Sequence, residues 1–563
     1  MNVEFSFHTR KQSIQRFKDE VFDVLIIGGG ITGSATARDA ASRGLSVALV
    51  EKNDFAFGTS SRSSKLIHGG LRYLENMEFG LVFEALSERA FLLKSAPHMV
   101  KPLKFYFPVY DRDRNGKGIL SLGLWLYDLL ALFRTPEFHR NLSKKKMICE
   151  IPFLNPKGLK GGFSYYDASM WDDAMVLETL RATHQESPLF AAANYMEATK
   201  PIWEQSQWVG YHLRDCLTGE ELSVRARKVI VCGGPWTDLI GAQLDSHWSN
   251  WLNPSKGVHL VFDLKKLPIP GAMVMSHPED GRIAFVIPRV DFGPGVVIVG
   301  TTDSESPKDP AKVEVTTQDI QYLMDLLNRY FPDLKLKASD ILSAYVGVRP
   351  LVGGKATSLQ KVSREHFMDW GPGGTLIVAG GKYTTHRKMA EEIVDFLIHG
   401  WRKEEEFVRD IYPRLKKKSE TSKPINPKVL PYAVREAKVF AKEKGMQVPD
   451  SLWEHYGVDA LEIYYLNQEF GSLIEDPNGF PFLAAQLRFA IRQEMVIHLK
   501  DFYFRRVPLF LSRADSGIPW VDSLAEIWAQ EMGVEKSQAR AEAEDLKAEI
   551  QRASAWKKDL NGN

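Results

Sequence analysis

The residue types in this chain that can do chemistry cluster in short, glycine-bearing segments. Residues 23–51 read DVLIIGGGITGSATARDAASRGLSVALVE. Gly28, Gly30 and Gly33 have G-x-G-x-x-G spacing at the mouth of a helix, and Glu51 closes a second apolar strand, 45–50. Each has a task in holding a dinucleotide. Gly28 permits the tight turn, Gly30 lets a pyrophosphate approach the backbone, and Gly33 lets the helix lie close on the strand. The helix turns its free N–H groups and positive dipole end toward the phosphates. Glu51 stands where a carboxylate accepts hydrogen bonds from a ribose. The glycine spacing alone marks only a strand–helix turn. With strand, turn, helix, strand and acid in register within one βαβ length, it predicts a dinucleotide site.

The next segment, NDFAFGTSSRSSKLIHGGLRYLE (53–75), supplies hydroxyls at Thr59, Ser60, Ser61, Ser63 and Ser64, then Gly69 and Gly70. Hydroxyls suit a wall that hydrogen-bonds a polar heterocycle, and paired glycines let backbone approach a flat ring. A nicotinamide domain would continue into further βα units instead. The serines by themselves read as a solvated loop, but SSKLIHGGLRYLE mixes basic, aromatic and glycine residues as linkers do not. Three cations follow glycine-bearing turns: Arg72 (GGLRY), Arg349 (GVRPL) and Lys382 (GGKYT). Any one alone is more often a surface or salt-bridged base. His68 and His259 have the intrinsic pKa for proton transfer, although a lone histidine is more often a satisfied core residue. Asp303, in GTTD, reads as a turn or cap residue.

The elements that must carry these residues alternate along the chain. Residues 171–186 have helical spacing, and QWVGYHLRD and KVIVCGG form a strand pair around 206–232. Residues 255–302 alternate apolar and polar positions between Gly-Pro breaks, which predicts antiparallel strands. An amphipathic helix spans 319–331, with Ile320, Leu323, Leu326 and Leu327 on one side. The strand 375–380 runs into GKYTTHRKMAEEIVDFL, a second helix N-terminus aimed at a ligand. Residues 403–430 are charged and proline-bearing and read as a linker. Beyond it the pattern is helical, with Leu483, Leu487, Ile491, Met495 and Leu499 recurring every four residues.

Motifs in one order over some 480 residues carry a resemblance. They are the opening fingerprint, TSSRSSKLIHGGLRYLE, VIVCGGPWTD (229–238), KGVHLV (256–261), FVIPR (285–289), IVGTTD (298–303), YVGVRPL (345–351), VAGGKYTTHRKMAE (378–391) and RFAIRQEMVIHLKDFYFRRVPLFL. The chain closely resembles the FAD-dependent, quinone-linked glycerol-3-phosphate dehydrogenases. It departs from them at Arg62, at Arg227 and in the CGG turn 232–234. The resemblance implies an α/β fold: a Rossmann-type FAD-binding domain of the glutathione-reductase/D-amino-acid-oxidase kind, an antiparallel-sheet substrate domain and a C-terminal helical domain. The FAD-binding domain is expected at 20–402, interleaved with a cap at roughly 76–165 and 251–344. The linker at 403–430 leads to the helical domain at 431–555. Candidates for holding FAD are Gly28, Gly30, Gly33, Glu51, Thr59, Ser60, Ser64, Gly69, Gly70, Gly234, Trp236, Gly380, Gly381, Lys382 and Thr384. Arg72, Tyr73, Arg349 and Lys382 are expected to bind glycerol 3-phosphate.

The implied reaction yields dihydroxyacetone phosphate by hydride transfer to FAD, and the electrons pass to membrane quinone. His68, in the loop expected against the flavin, and His259, on a strand expected to roof it, are candidate proton acceptors. Which of them takes the proton is left open, and Arg349 is expected to stabilise the developing alkoxide. Glycerol-3-phosphate oxidase, which reoxidises its flavin with oxygen, is the nearest alternative. Further alternatives are an amine or amino-acid oxidase, against which a three-cation pocket argues, and a silent flavin-binding scaffold.

The 563 residues allow two or three domains, and a net charge of +1 gives no general attraction to nucleic acid or anionic lipid. Cys149, Cys216 and Cys232 form no C-x-x-C, so neither a disulfide framework nor a metal site is expected, and they read as reduced thiols in a cytosolic protein. Cys149 and Cys216 lie outside the motifs, so FAD is expected to be held without a covalent bond. The first twenty residues lack the apolar core of a secretory signal. The segment 118–133, GILSLGLWLYDLLALF, is too short to span a bilayer and carries Asp128. With Lys117 before it and Arg134, Arg140 and Lys144 to Lys146 after, it fits either a membrane-interface helix or a buried helix of the substrate domain. Quinone chemistry favours the interface, and Arg414, Lys416, Lys417 and Lys418 are a second basic candidate. The expected location is cytoplasmic, peripheral on the inner face of the membrane, and a homodimer is entertained.

Overall fold

The computed structural model describes residues 4–561 apart from 112, 114, 115, 206, 354–365, 417, 472, 473 and 475–478. Two sheets and a helical C-terminal domain organise the chain. At the centre of the first sheet is the strand Val21–Ile27, parallel to Val47–Val50 on one side and Glu221–Val231 on the other. Phe190–Ala193 and Leu376–Gly380 extend it in parallel, and His366–Trp370 closes one edge antiparallel. Val24, Leu25 and Ile26 are fully buried, as a parallel strand covered on both faces requires. The cover includes the helices Ile31–Ser42, Asp172–Glu186 and His386–Trp401.

The second sheet is mixed and largely antiparallel. Its long strands Val100–Tyr110 and Leu159–Met170 pair along their length, and Ala272–Ser276 joins the first of them in parallel. Ile283–Arg289, Val296–Gly300, Ser255–Asp263 and Ile341–Arg349 follow as antiparallel neighbours. One face is covered by the amphipathic helix Thr317–Tyr330, which buries Ile320, Leu323, Leu326 and Leu327. Thr316 and Asp319 start this helix by capping each other's backbone N–H groups.

The C-terminal helices dock onto the first domain through buried charge. Asp54 accepts from Arg505 Nε at 2.6 Å and from Arg506 Nη1 and Nη2 at 2.9 and 3.1 Å. Burial alone would lift the Asp54 pKa, but the two guanidiniums hold it below the usual carboxylate range. The four-residue apolar repeat does not make one helix. Leu483–Gln493 and Leu499–Arg505 are separate, with Met495 at φ +49 between them. The backbone of Met495 instead donates to Phe5 O at 2.8 Å and accepts from Asn194 at 3.1 Å, so tertiary hydrogen bonds replace helical ones. Between the domains, Arg414 donates to Asp23 and to Gly44 O, each at 2.6 Å, which turns its charge toward the protein. Lys416 pairs with Glu420 at 3.3 Å, and Lys417 lies outside the described residues.

Candidate active site

Backbone contact at the first strand–helix turn leaves no room for side chains. A Cβ on Gly28, at φ +114, would stand 2.3 Å from Cys232 O, and one on Gly33 would stand 1.9 Å from Gly28 O. The Ser60 hydroxyl accepts the Ile31 N–H at 3.0 Å, which fixes the following loop against the helix start. Glu51 accepts from the Gly29 and Asn53 N–H groups at 2.8 and 2.9 Å. Burial raises its pKa, and those two backbone donors oppose the rise. A bare helix N-terminus, glycines packed to contact and an oriented carboxylate at the strand end fit the pyrophosphate and ribose of a dinucleotide.

Beyond this turn a cavity of about 660 Å³ opens beside the second sheet. Thr59, Ser64, His68, Gly70, Tyr73, His259, Arg349, Gly381, Lys382 and Thr384 all reach it, so half of the sequence candidates converge here. The hydroxyls are anchored by protein partners: Thr59 donates to Val348 O at 2.6 Å and Ser64 pairs with His259 Nε2 at 2.9 Å. The glycine pair answers side chains as well as any ring. A Cβ on Gly69 would meet Leu86 and the Tyr127 hydroxyl, and one on Gly70 would meet the Tyr73 ring. Trp236 packs against Gly58. Gly234 and Gly380 take positive φ, at +52 and +74, in the turns that end their strands.

The cations differ in how they are held. Arg349 is fixed from several sides: Nη2 donates to the Thr301 hydroxyl at 2.8 Å and to Thr302 O at 3.2 Å, and Nη1 to Ser255 at 3.1 Å. Asp303 lies 3.5 Å from Nη1. Lys382 Nζ stands 4.0 Å over the Tyr73 ring and is buried with no hydrogen-bond partner among the described residues. Arg72 has its backbone in the turn Leu71–Asn76, and its side chain lies outside the described residues. His259 stacks on Tyr345 with centroids 4.6 Å apart, and its Nδ1 is buried with no hydrogen-bond partner among the described residues. Burial first, then the charges of Arg349 and Lys65, hold its pKa well below the ordinary histidine value, so it is neutral at pH 7. The Thr384 hydroxyl lies 3.4 Å from both the backbone N and O of His68.

Two groups in the wall were not legible as site residues. Asp303, which the sequence marks as a turn or cap, faces the cavity beside Arg349. Asp167 accepts from Tyr127 OH at 2.8 Å and pairs with Arg89, and Tyr127 OH in turn accepts the Gly69 N–H at 2.9 Å. The available signal for Asp303 was its position directly after a strand end, whereas Asp167 had none.

The far end of the cavity is apolar. Met77, Phe79, Ile119, Leu122 and Leu126 line it, three of them from the helix Lys117–Leu130. This helix is neither wholly buried nor wholly exposed. Leu122 and Trp125 are 72% and 62% exposed, whereas Leu124 is 1% exposed in the core. Leu124 does not share the exposed face of Trp125 and Leu129, because one residue's step turns it about 100° around the axis. Asp128 lies on the buried side and holds His139 Nδ1 at 2.8 Å. Among the described residues no helix is long and apolar enough to cross a membrane.

The fold and this cavity define a flavin-type oxidoreductase, and comparison with known proteins agrees. The FAD-dependent oxidoreductase family model matches residues 23–387, and the model for the C-terminal domain of alpha-glycerophosphate oxidase matches 433–539. Aerobic glycerol-3-phosphate dehydrogenase of Staphylococcus saprophyticus is 33% identical over 556 residues, covering 97% of each chain. The Staphylococcus aureus protein of that name is 33% identical over 568 residues, covering 98% of each. The glycerol-3-phosphate dehydrogenase of Bacillus halodurans, solved in complex with FAD, superposes with a TM-score of 0.77 at 27% identity, covering 97% of this chain and 98% of that one. The chain belongs to the FAD-dependent oxidoreductases, in the branch of the aerobic glycerol-3-phosphate dehydrogenases.

Proposed function

We propose that this protein oxidises sn-glycerol 3-phosphate to dihydroxyacetone phosphate and passes the electrons to a lipid-soluble quinone. The observation that carries the substrate is Lys382, whose buried ammonium has no hydrogen-bond partner among the described residues, in the same cavity as Arg349. A buried charge is costly unless paired, and a phosphate dianion would pair it. Gly28, Gly30, Gly33 and Glu51 would hold the pyrophosphate and ribose of FAD. Thr59, Ser60, Ser64, Gly69, Gly70, Gly234, Trp236, Gly380, Gly381 and Thr384 would enclose the rest. FAD, when bound, accepts the hydride from C2 of the substrate.

The remaining work falls to side chains. Lys382 and Tyr73 seat the phosphate, with Arg72 expected beside them. Arg349, immobilised by Thr301, Thr302 and Ser255, faces the hydroxyl oxygen and stabilises negative charge there as its proton leaves. His259 takes that proton. It is neutral, its Nε2 is oriented by Ser64, and the nearby Arg349 charge favours the alkoxide. His68 lines the same cavity.

The apolar end and the exposed face of Lys117–Leu130 support a lipid-soluble acceptor, reached while the protein rests peripherally on the inner face of the membrane. Ile119, Leu122, Trp125 and Leu129 would enter the interface, with Arg134 and Lys144 to Lys146 toward anionic headgroups. FAD is held without a covalent bond in this reading, and flavin released into the supernatant by acid precipitation is the expected result. The decisive experiment adds glycerol 3-phosphate to the purified yellow protein without oxygen. Bleaching of the flavin absorbance is expected, and a protein that stays yellow refutes the substrate. Mixing the bleached protein with a quinone analogue or with oxygen then separates dehydrogenase from oxidase.

A further inference from the structure

Two more cations, Arg62 and Arg282, reach the cavity than the proposed chemistry uses, and Arg62 donates to Val346 O at 3.3 Å. Arg282 follows the turn 277–281 and immediately precedes the strand Ile283–Arg289, and it lines the same cavity as Arg349 and Lys382. The turn is tightly closed: His277 N–H donates to Arg282 O at 2.8 Å and Gly281 N–H to His277 O at 3.0 Å. The nearest carboxylate, Asp280, is engaged by the turn itself. It accepts the Arg282 N–H at 2.9 Å and the Tyr322 hydroxyl at 3.2 Å, and Tyr322 stacks on His277 at 4.5 Å. Asp280 comes no closer than 3.5 Å to the Arg282 guanidinium.

Beyond this 3.5 Å ion pair with Asp280, no further carboxylate pairs with Arg282 among the described residues. Its Nη1 donates to the main-chain carbonyl of Asp303, a neutral acceptor, and its Nε is buried with no hydrogen-bond partner among the described residues. Asp303 joins two arginines in this way. Its main chain fixes Arg282, and its side chain lies 3.5 Å from Arg349 Nη1. Two guanidiniums are thus set on either side of one residue at the edge of one cavity. Three phosphate oxygens need donors from several directions, and forked donors held in place lose little freedom on binding.

We propose that Arg282 is a substrate-binding residue that holds the phosphate together with Lys382, oriented by the Asp303 carbonyl. The proposal rests on the glycerol 3-phosphate reading of the site. In a cavity with an apolar wall, charge-assisted contacts are strengthened by the low local dielectric. Arg282 therefore sets the preference for a phosphorylated alcohol over the same alcohol without phosphate.

The test compares the holoenzyme with Arg282→Ala and Arg282→Lys, using a soluble dye as acceptor and inorganic phosphate as a non-reactive probe. R282A should raise KM for glycerol 3-phosphate and the inhibition constant of inorganic phosphate by about ten- to a hundredfold. It should lower kcat as well, because phosphate binding also positions C2 for the reaction. R282K should recover part of these losses. Unchanged KM and phosphate inhibition would overturn the proposal. So would a fall in kcat at unchanged phosphate inhibition, which would mean that Arg282 only supports Asp303. If R282A sheds its FAD, R282K and Arg282→Gln carry the same comparison. If the wild type itself ignores glycerol 3-phosphate, the function reading fails. Arg282 is then still decided by whether phosphate perturbs the flavin spectrum in the wild type but not in R282Q.

Discussion

The two ends of the cavity are built by opposite means. At the polar end, Arg349 and Lys382 project from strand ends and glycine turns of two rigid sheets, and nearly every group around them is fixed by a named partner. At the apolar end, one amphipathic helix supplies most of the wall and turns Leu122 and Trp125 outward to solvent. The first arrangement recognises one small charged molecule by geometry. The second offers area without direction, which suits a long apolar molecule or a lipid surface. The difference suggests two visitors of opposite polarity served from one cavity, and the two ends should therefore be separable by mutation.

The largest effect is expected at the polar end. Arg349→Ala or Lys382→Met should lower kcat/KM for glycerol 3-phosphate by about 2–4 kcal/mol in transition-state terms while FAD stays bound. Phosphate binding also positions C2 for the reaction, so kcat as well as KM should suffer. Quinone and dye as acceptors should be affected equally. A Lys382→Met enzyme with normal kcat/KM would remove Lys382 from the substrate site and leave its buried charge without an explanation.

The next effect tests the apolar end. Leu122, Trp125 and Leu129, replaced together by serine or glutamine, should weaken liposome binding and lower quinone reduction by about tenfold, at roughly 0.5 kcal/mol for each side chain only partly buried in the interface. Dye reduction should be spared. If dye reduction falls as well, the helix serves the fold and not an acceptor. Leu124 must be left alone, because it is core and its loss would confound the result.

These two ends were unequally legible in the sequence. Gly28, Gly30, Gly33 and Glu51 could be read because the turn they make is local, with every part inside one βαβ unit. Arg349 and Lys382 could be named because each follows a glycine-bearing turn. Asp303 and Arg282 could not be assigned to the cavity, because their meaning lies in a contact between two loop positions, 21 residues apart, that only the fold brings together. The helix 117–130 was ambiguous for another reason. An amphipathic pattern is the same whether the second surface meets core or lipid, and only the fold reveals that Trp125 meets the His139 ring yet stays largely exposed. At Met495, tertiary hydrogen bonds to Phe5 and Asn194 interrupt a repeat that locally favoured one helix.

The smallest effect separates the ends by pH. His259 belongs to the polar end, where burial and the Arg349 and Lys65 charges hold its pKa well below 6.5. The unfolded chain therefore takes up a proton at this residue below pH 6.5 while the folded protein does not. Stability should fall as pH drops below 6.5, by about 1.4 kcal/mol per pH unit from this one group, and the loss is absent above pH 7. His259→Gln has no such proton to take up, so its urea midpoint relative to wild type should improve steadily from pH 6.5 to pH 5.5. Leu122→Ser, at the apolar end, adds no titrating group, and any shift it causes should be the same at both pH values. Parallel curves for wild type and H259Q would mean that His259 is not held neutral, and the proton acceptor would then have to be sought at His68.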